Sequence, residues 1–491
     1  MRVVNIAAEL APIAKVGGLG DVVGGLTSEL VRKGIDAIVI LPKYKNLKTS
    51  FLKDLKIYKK NLKIFEKKRW QKNTIYSAKL NKVQIFLIED NKNYFSKPKI
   101  YGYRSDVTRF LYFCKAALEF LKSQNIKIDI LHIHDWHTAF VAPLYKEIYS
   151  KENLKVKKIV LSIHNLKYQG FCKPKDIDNL GFDGKYFLKD EKLKDPNRER
   201  TLNLLKGGLI YSNLIVPVSE NYAKEILVKK NEQNLHKVLE KNKKKIKGIL
   251  NGLDPKYWDP KTDRFLKHKF SKDLPIKKLI DQKKKNKKDL QKYLNLNLDE
   301  KPLICSIGRL VPQKGPSLIK KSLLTAINNR AQFVLLGDVF DKKTAKEFYK
   351  LKSDLKNNKD VSILFEHNEK LAHLIFAAAD FVIIPSLFEP CGLTQMIGFK
   401  YGAIPIIRKT GGLADTVFDL DDKKLKKSKR NGFSFDDFSE YQVKITTKRA
   451  LNFWYLKNQK FYLLVKKNME LNFSWTSSAN KYIKAYKNLL K

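Results

Sequence analysis

Short runs of apolar residues, rich in Val and Ile, recur along the chain and are separated by longer amphipathic segments. Because hydrophobicity within each run is continuous rather than alternating, we predict strands that are buried on both faces of a parallel sheet. The runs of the first half span residues 3–7, 37–41, 83–88, 128–134, 159–164 and 214–218. Those of the second half span residues 246–250, 303–307, 332–336, 361–365, 381–385 and 404–407.

This strand–helix alternation occurs twice, which predicts an α/β protein with two Rossmann-like, doubly wound domains. At 491 residues the chain is also too long for one ordinary core. We expect domains at 1–245 and 246–472, with the boundary after a lysine-rich helix. Residues 473–491 are predicted to form a separate amphipathic helix carrying Trp475, Tyr482 and Tyr486. Chemistry is expected in a cleft at the carboxyl ends of the strands.

Composition narrows the class of protein. Hydrophobic residues make up 43% of the chain, enough for folded domains. The four cysteines form no CxxC pair, which disfavours a disulfide framework or a structural zinc site and fits a reducing compartment. Glu9 interrupts the first apolar run too early for a signal peptide, and Asp380 breaks the longest apolar stretch. We therefore expect a cytoplasmic protein without a membrane partner.

Net charge is unusual, because 98 Lys and Arg face 50 Asp and Glu, giving +48. Such a charge is typical of proteins that bind nucleic acid or an anionic surface. However, the basic residues are scattered, and the densest runs, at 243–245, 283–288 and 423–430, contain few aromatic residues. We therefore favour a solvated, lysine-rich surface over a specific nucleic-acid partner. The charge should still assist the approach of an anionic substrate.

A glycine-rich loop follows the first predicted strand. Lys15, Gly17, Gly18 and Gly20 precede or open a predicted helix. Glycines let backbone amides approach an anion closely, and the lysine favours a phosphate or a sugar over a plain tight turn. Neither the Walker pattern nor the dinucleotide pattern fits, since no Gly-Lys-Ser/Thr follows and Val23 stands at the third glycine position. The sequence therefore gives poor support for NAD.

Polar residues end two further strands of the first half. His132 and His134 share one strand face, which could indicate a metal site, but no further ligand cluster follows. We expect instead that Asp135 and Trp136 shape the cleft. A second strand ends at His164 and Asn165, which makes a shared site more plausible than an isolated core histidine.

The second half supplies cations and a carboxylate. Arg309 and Lys314 follow a strand, and their side chains suit phosphate oxygens. The segment 385–395 carries Glu389, an acceptor for sugar hydroxyls, followed by Gly-Leu-Thr at a helix start. Because no second carboxylate occurs in a comparable context, a hydrolase pair is disfavoured. Residues 409–415 form a second glycine turn after a strand.

Taken together, these motifs closely resemble the family of bacterial glycogen synthases and plant starch synthases. The resemblance runs in order from the Lys15 loop to the segment 472–475 and includes the blocks at 251–254, 315–316, 389–395 and 410–415. It implies a GT-B fold whose terminal helix crosses back to the first domain, with the acceptor mainly on the first domain and the nucleotide sugar on the second. It also implies glucose transfer with retention of configuration and without a required metal or other cofactor.

The resemblance further implies roles for individual residues. Arg309 and Lys314 would hold the donor diphosphate, and Glu389 would bind glucose hydroxyls and stabilise positive charge at the anomeric carbon. His164 would face the reacting sugar, while Lys15 and Gly18 would close over the donor. The remaining donor-side residues are Gly17, His367, Cys391, Gly392, Leu393 and Thr394, and the acceptor-side residues are Asp135, Trp136 and Asn165.

Two departures from the family pattern affect the expected donor. Val16 stands where the family usually has Thr, and His367 stands where members often carry Tyr. The choice between ADP-glucose and UDP-glucose, with glycogen as acceptor, thus stays open at this point, and only the habit of the family favours ADP-glucose. The alternatives are another GT-B enzyme, such as a sucrose-synthase-like or phosphorylase-like one, and a nucleic-acid-binding protein that exploits the charge.

Overall fold

The computed structural model describes residues 1–228 and 234–491. It divides into two units, one made of Met1–Gly252 with Trp475–Lys491 and the other of Leu253–Ser474. Each unit contains a largely parallel sheet with helices between the strands. The predicted fold class, α/β with two Rossmann-like domains, is confirmed.

The first unit is built on an eight-stranded sheet in which all six runs predicted in the first half form strands. Its strands are β1 Arg2–Ile6, β2 Asp36–Pro42, β3 Lys53–Glu66, β4 Arg69–Leu80, β5 Val83–Glu89, β6 Lys127–His134, β7 Lys155–Ile163 and β10 Leu214–Pro217, with a separate short pair, β8 Phe171–Cys172 and β9 Leu202–Asn203. Its helices up to the chain crossing are α1 Gly18–Arg32, α2 Asp106–Lys122, α3 Asp135–Ala139, α4 Val141–Glu147, α5 Pro174–Asp178, α6 Gly184–Phe187, α7 Leu204–Tyr211, α8 Glu220–Glu225 and α9 His236–Lys241.

The strand order of this sheet is β10-β7-β6-β1-β2-β5-β4-β3. The chain proceeds from β1 through β2 and β5 to one side and from β6 through β7 and β10 to the other. The order therefore reverses between β1 and β6, which are parallel neighbours. Ligands of doubly wound sheets bind outside the carboxyl ends of the strands at such a reversal.

The antiparallel hairpin β3–β4 was not predicted from the sequence. β3 forms the edge of the sheet, and its first eight residues contain no buried side chain. Continuous apolar runs identify buried strands, whereas this strand carries Lys53, Lys56, Lys59, Lys60 and Lys63. Lysines on an edge strand discourage pairing with another chain, and the pairing of β3 with β4 is further interrupted by register shifts.

The second unit contains a six-stranded parallel sheet of order β13-β12-β11-β14-β15-β16. Its strands are β11 Leu303–Ile307, β12 Gln332–Leu336, β13 Val361–Leu364, β14 Phe381–Ile384, β15 Ile404–Arg408 and β16 Phe433–Phe435. Its helices are α10 Ile276–Tyr293, α11 Pro316–Ile327, α12 Lys342–Asp354, α13 Glu369–Ala378, α14 Thr394–Lys400, α15 Gly411–Thr416, α16 Glu440–Leu456 and α17 Asn458–Met469. Here the strand order reverses between β11 and β14.

The strand predicted at residues 246–250 is wrong. Ile246 forms an isolated bridge to Ile215, and the amides of Lys247 and Ile249 donate to the carbonyl oxygens of Ile215 and Pro217 beside β10, but the segment forms no regular strand. Ile249 is fully buried in the core of the first unit. An apolar run indicates that a segment is buried but not that it forms a strand. Here an extended segment outside regular secondary structure is buried in the core.

The lysine run 283–288 lies on α10, and two of its members are buried rather than solvated as predicted. The Nζ of Lys283 donates to the carbonyl oxygens of Ala377, Ala379 and Tyr401 at 2.9–3.2 Å. Burial lowers the pKa of this lysine to about 7. Lys287 is paired with the buried Asp380. These two lysines are part of the buried structure and do not belong to the solvated surface.

The terminal helix α18, Trp475–Leu490, belongs to the first unit. Trp475, Tyr482 and Tyr486 are buried in the core that α1 and the sheet form. Trp475 packs so closely against Gly25 and Gly252 that a Cβ at either glycine would overlap it. The contact therefore requires glycine at both positions.

Within residues 1–228 and 234–491, none of the helices has the length and apolar character needed to span a bilayer.

Candidate functional site

The loop after β1 is held by a carboxylate that the sequence analysis had not assigned to the site. The Oε2 of Glu9 accepts hydrogen bonds from the backbone amides of Val16 at 2.7 Å and Gly17 at 2.9 Å. Its Oε1 accepts one from the hydroxyl of Tyr101 at 3.0 Å. Glu9 is buried, and burial raises its pKa above the ordinary value despite these bonds. The loop geometry thus depends on a buried acid.

Lys15, Gly17 and Gly18 lie on this loop, at the start of α1. Lys15 is exposed, and its Nζ lies 2.8 Å from Oδ1 of Asp21. A Cβ on Gly17 or Gly18 would meet no atom within 4 Å, so neither glycine is required by packing within the protein. The space beside the two glycines is open to a ligand.

Asp135 directly follows β6, the neighbour of β1, and binds the backbone at the end of β7. Its φ of 53° lies in the left-handed region, which is costly for a residue with a side chain. Its Oδ1 accepts the amide hydrogens of His164 at 2.7 Å and Asn165 at 3.4 Å. Burial raises the pKa of Asp135 to about 7. The strained backbone therefore holds an acid where it positions two other predicted site residues.

His132 is fully buried on β6, and both of its ring nitrogens have partners. Nε2 lies 2.8 Å from Oγ of Ser162, and Nδ1 lies 2.8 Å from the hydroxyl of Tyr486. Burial lowers its pKa to about 3. These contacts leave its nitrogens committed to hydroxyl groups. Among residues 1–228 and 234–491, there is no group of three or more His, Cys, Asp or Glu side chains arranged to hold a metal.

His134 connects the interior of the sheet to His164. Its Nε2 lies 3.3 Å from Oδ1 of Asn5 on β1, and its Nδ1 lies 3.3 Å from Nε2 of His164. Burial lowers the pKa of His164 to about 3 and that of His134 well below its usual range. Both rings are therefore neutral at ordinary pH, and each has one donor and one acceptor nitrogen.

Trp136 packs in an aromatic cluster rather than lining an open surface. Its side chain is buried next to His137 and the ring of Phe110. Gly170, with φ of 66°, lies so close to the indole that a Cβ there would overlap it. The structure thus gives Trp136 a packing role between the end of β6 and the loop that precedes β8, and Asn165 lies half-buried on that loop.

In the second unit, the loops after β11 and β14 meet at the reversal of strand order. Gly308, Arg309 and Lys314 from the first loop line one cavity together with Ser386 and Thr394 from the second. Arg309 is exposed. The cavity therefore brings two cations together with the hydroxyl groups of Ser306, Ser386 and Thr394 where ligands of such sheets bind.

Glu389 is buried and directly paired with one of these cations. Its Oε2 lies 2.5 Å from the Nζ of Lys314 and accepts a hydrogen bond from the Oγ of Ser386 at 2.9 Å. Gln313, which directly precedes Lys314, donates from Nε2 to the carbonyl oxygen of Phe388 at 3.0 Å. These bonds tie the two loops to each other and fix the carboxylate.

The second glycine turn, at residues 410–412, contacts the backbone of Glu389 and of Cys391. The amide of Gly412 donates to the carbonyl oxygen of Glu389 at 3.1 Å. A Cβ on Gly411 would overlap that same carbonyl, and a Cβ on Gly412 would overlap the carbonyl of Cys391. Gly411 also has φ of 45°. The turn at 410–412 therefore needs glycine in order to approach the Glu389 backbone.

The remaining donor-side residues lie on two loops. Cys391 is buried, and Gly392, with φ of 71°, and Leu393 lead into α14, which begins at Thr394. His367 is exposed on the loop between β13 and α13. β13 is the edge strand, two positions from β11, and His367 is not among the residues that line the cavity with Arg309 and Lys314.

The structure thus assembles two groups of predicted residues, one within each unit. The residues that sequence reasoning missed, Glu9, Asn5 and Ser386, hold members of these groups in place. Glu9 had served only to exclude a signal peptide, although a carboxylate between a strand and a glycine loop is a recognisable signal. Nothing local marks Asn5 or Ser386, because their roles depend on contacts across the sheet and the loop.

Comparisons with known proteins agree on one family. Residues 2–241 match the profile of the starch synthase catalytic domain, and residues 283–441 match that of glycosyl transferases group 1. The chain is 41% identical over 493 residues to a glycogen synthase of Protochlamydia amoebophila, with 99% of each chain covered. It is 40% identical to a probable starch synthase 4 of Arabidopsis thaliana, covering 99% of this chain and 47% of that one.

A solved structure extends this likeness to three dimensions. The catalytic domain of starch synthase IV from Arabidopsis thaliana, bound to ADP and acarbose, superposes with a TM-score of 0.94 at 40% identity. The alignment covers 100% of this chain and 99% of that one.

Proposed function

Because the chain belongs to the glycogen and starch synthase family, we propose that it transfers glucose from ADP-glucose to the non-reducing end of an α-1,4-glucan with retention of configuration. The family and the glycosyltransferase class predicted from the sequence are confirmed. ADP as the nucleotide and a glucan as the acceptor are proposals, supported by the ADP and acarbose bound to the Arabidopsis relative.

The observation that carries the proposal is the joint position of Arg309, Lys314 and Glu389 at the reversal of strand order in the second unit. In glucosyl transfer, negative charge grows on the leaving diphosphate while positive charge grows at the anomeric carbon. Two cations, placed beside one buried carboxylate that is fixed before the substrate arrives, complement that separation of charge.

Arg309 and Lys314 bind the diphosphate and stabilise it as it departs. The guanidinium offers a planar pair of donors to phosphate oxygens, and the ammonium is a compact, mobile charge. Thr394 adds a hydroxyl to the same cavity. A bound diphosphate would share the Lys314 ammonium with Glu389. The hydrogen bond from Ser386 would still hold the Glu389 carboxylate in position. Gly392, Leu393 and Cys391 follow this carboxylate directly and lie beside the sugar.

In the first unit, Asp135 positions His164 and Asn165 toward the sugar side, and Glu9 shapes the Lys15 loop. Lys15 contacts the donor through its positive charge, and Gly18 contacts it through a backbone that no side chain covers. His367 contacts the nucleobase from the edge of its sheet. Trp136 supports the acceptor side through packing.

The test is nucleoside diphosphate release from ADP-glucose and UDP-glucose, each with and without glycogen. We expect release that depends on glycogen, faster turnover with ADP-glucose, and incorporation of label into α-1,4 linkages. Equal release without acceptor would indicate hydrolysis and contradict the proposal. Faster turnover with UDP-glucose would overturn the donor assignment alone. Sucrose formation would favour the sucrose-synthase-like alternative, and tight, salt-sensitive RNA binding without turnover would favour a nucleic-acid-binding protein.

A further inference from the structure

The contacts of His134 determine which of its two ring nitrogens carries the proton. A neutral imidazole carries one proton, so the partner of one ring nitrogen decides what the other can do. The partner of Nε2 in His134 is Oδ1 of Asn5, at 3.3 Å. An amide oxygen can only accept a hydrogen bond, so the proton of His134 must be on Nε2. Its Nδ1 is then an acceptor.

The same reasoning carries over to His164. Nδ1 of His134 lies 3.3 Å from Nε2 of His164. Because the first nitrogen accepts, the second must donate, and the proton of His164 is on Nε2. This leaves Nδ1 of His164 with an unshared electron pair. His164 is half-buried, and within residues 1–228 and 234–491 that nitrogen is neither paired in a hydrogen bond nor fully enclosed without one.

The orientation of the Asn5 amide follows from its other side. Its Nδ2 donates to the carbonyl oxygen of Ile38 on β2, at 3.5 Å. A flipped amide would turn its oxygen toward that carbonyl and lose the bond. Asn5 is fully buried on the central strand β1, and its neighbours β2 and β6 supply the two partners. The position of Asn5 in the sheet thus selects its orientation.

The backbone of His164 is held independently. Oδ1 of Asp135 accepts its amide hydrogen at 2.7 Å, while the ring is held through His134. The protonated form of each ring is disfavoured, because burial lowers the pKa of His164 to about 3 and that of His134 well below its usual range. One tautomer of each ring therefore persists across ordinary pH.

We propose that Asn5 and His134 are positioning residues that set the tautomer of His164, so that its Nδ1 accepts a hydrogen bond from a hydroxyl group of the bound sugar. The inference rests on the proposed function for the presence of the sugar. The tautomer itself is a property of the ligand-free protein. With Nδ1 protonated instead, the ring would present a donor, and the same hydroxyl would have to reorient toward another acceptor.

The test begins with nitrogen NMR of the ligand-free enzyme labelled selectively at histidine. The chain has eight histidines, few enough to resolve, and the signals of His164 are assigned by their loss in His164→Asn. We expect a pyridine-type signal for Nδ1 of His164 and a pyrrole-type signal for its Nε2, at pH 6 and at pH 8. A pyrrole-type Nδ1 would overturn the inference whatever the activity.

Variants then test the role of Asn5. Asn5→Ala removes the acceptor, so we expect His164 to populate both tautomers and kcat to fall about tenfold with little change in KM for the donor. Unchanged signals and unchanged kcat in a folded Asn5→Ala enzyme would refute the role.

Two controls separate this effect from general destabilisation. Asn73→Ala removes another buried asparagine of the same unit, whose amide binds Leu62 and Tyr112. Tyr486→Phe removes the hydroxyl that contacts His132. Both should leave the His164 signals unchanged, and a tautomer change in either would contradict the proposed route through Asn5. If no nucleotide sugar is turned over, the proposed function fails, whereas the NMR result still decides the tautomer.

Discussion

The ammonium of Lys314 lies 2.5 Å from the carboxylate of Glu389, across two loops that follow neighbouring strands. The carboxylate is buried and the lysine is partly exposed. The pair therefore has one member fixed by the fold and one that can turn toward a ligand. Substitutions can therefore test the roles of the Lys314 cation and the Glu389 carboxylate separately, because one side chain is partly exposed and the other is buried.

Lys314→Ala should reduce turnover about a hundredfold. Removing one preorganised charge at the developing anion costs about 3 kcal/mol of transition-state stabilisation. The variant should fold, since the lysine is partly exposed. Steady-state kinetics with nucleotide sugar and glycogen measures the loss. The control is Lys320→Ala, which removes another partly exposed lysine of the same unit, paired with Glu347 at 2.8 Å. Equal kinetics in the two variants would contradict the role of Lys314.

Glu389→Gln should also reduce turnover about a hundredfold while leaving ADP affinity within a few-fold of the wild type. The amide has nearly the same shape and can still accept the bond from Ser386, but it lacks the charge that opposes positive charge at the anomeric carbon. Calorimetric titration with ADP and kinetics measured on the same preparation distinguish the two effects. Glu347→Gln is the matched control. Loss of ADP binding in step with turnover would assign Glu389 to nucleotide binding instead.

The sheets were predictable where burial is continuous. The runs at 303–307 and 332–336 coincide with β11 and β12, because each strand lies between two neighbours and under helices. The hairpin β3–β4 was missed because its edge strand is exposed and lysine-rich. The run at 246–250 was mistaken for a strand because burial of Ile249 in the core that also contains Trp475 demands apolar residues as well.

Some residues of the candidate site were likewise predictable from the sequence, whereas the contacts that position them were not. Glycine, lysine and arginine at strand ends indicate phosphate chemistry from local sequence alone, so Lys15, Arg309 and Lys314 were accessible to reasoning. The positioning contacts were not. Asn5 lies 129 residues from His134 along the chain, and no local pattern reports a contact of that separation. The tautomer of His164 is consequently a property that only the three-dimensional structure supplies.

Gly411→Ala should reduce turnover more than tenfold, although Gly411 is not expected to touch the substrate. A Cβ there would overlap the carbonyl oxygen of Glu389 and displace its loop, and φ of 45° adds backbone strain. Gly34→Ala is the control, because Gly34 also has a positive φ, of 77°, but a Cβ there meets no atom within 4 Å. It should cost only about 1–2 kcal/mol of stability and leave turnover unchanged. Equal activity of the two variants would exclude the supporting role of the glycine turn.

His137→Phe should make the protein less sensitive to acid. Burial, together with the positive charge of Arg109, lowers the pKa of His137 from 6.5 to about 3, and its Nδ1 is buried without a partner.

Because the folded state depresses this pKa, the stability contributed by neutral His137 is fully present above pH 6.5 and is lost as the pH falls toward 3. At pH 5 the loss amounts to about 2 kcal/mol. Phenylalanine, packed among Tyr101, Phe110 and Trp136, has no proton to bind. Thermal unfolding followed between pH 7.5 and pH 4.5 should show a shallower decline of Tm in the variant. Parallel declines would mean that His137 is protonated in the folded protein, and that its burial does not carry the penalty inferred here.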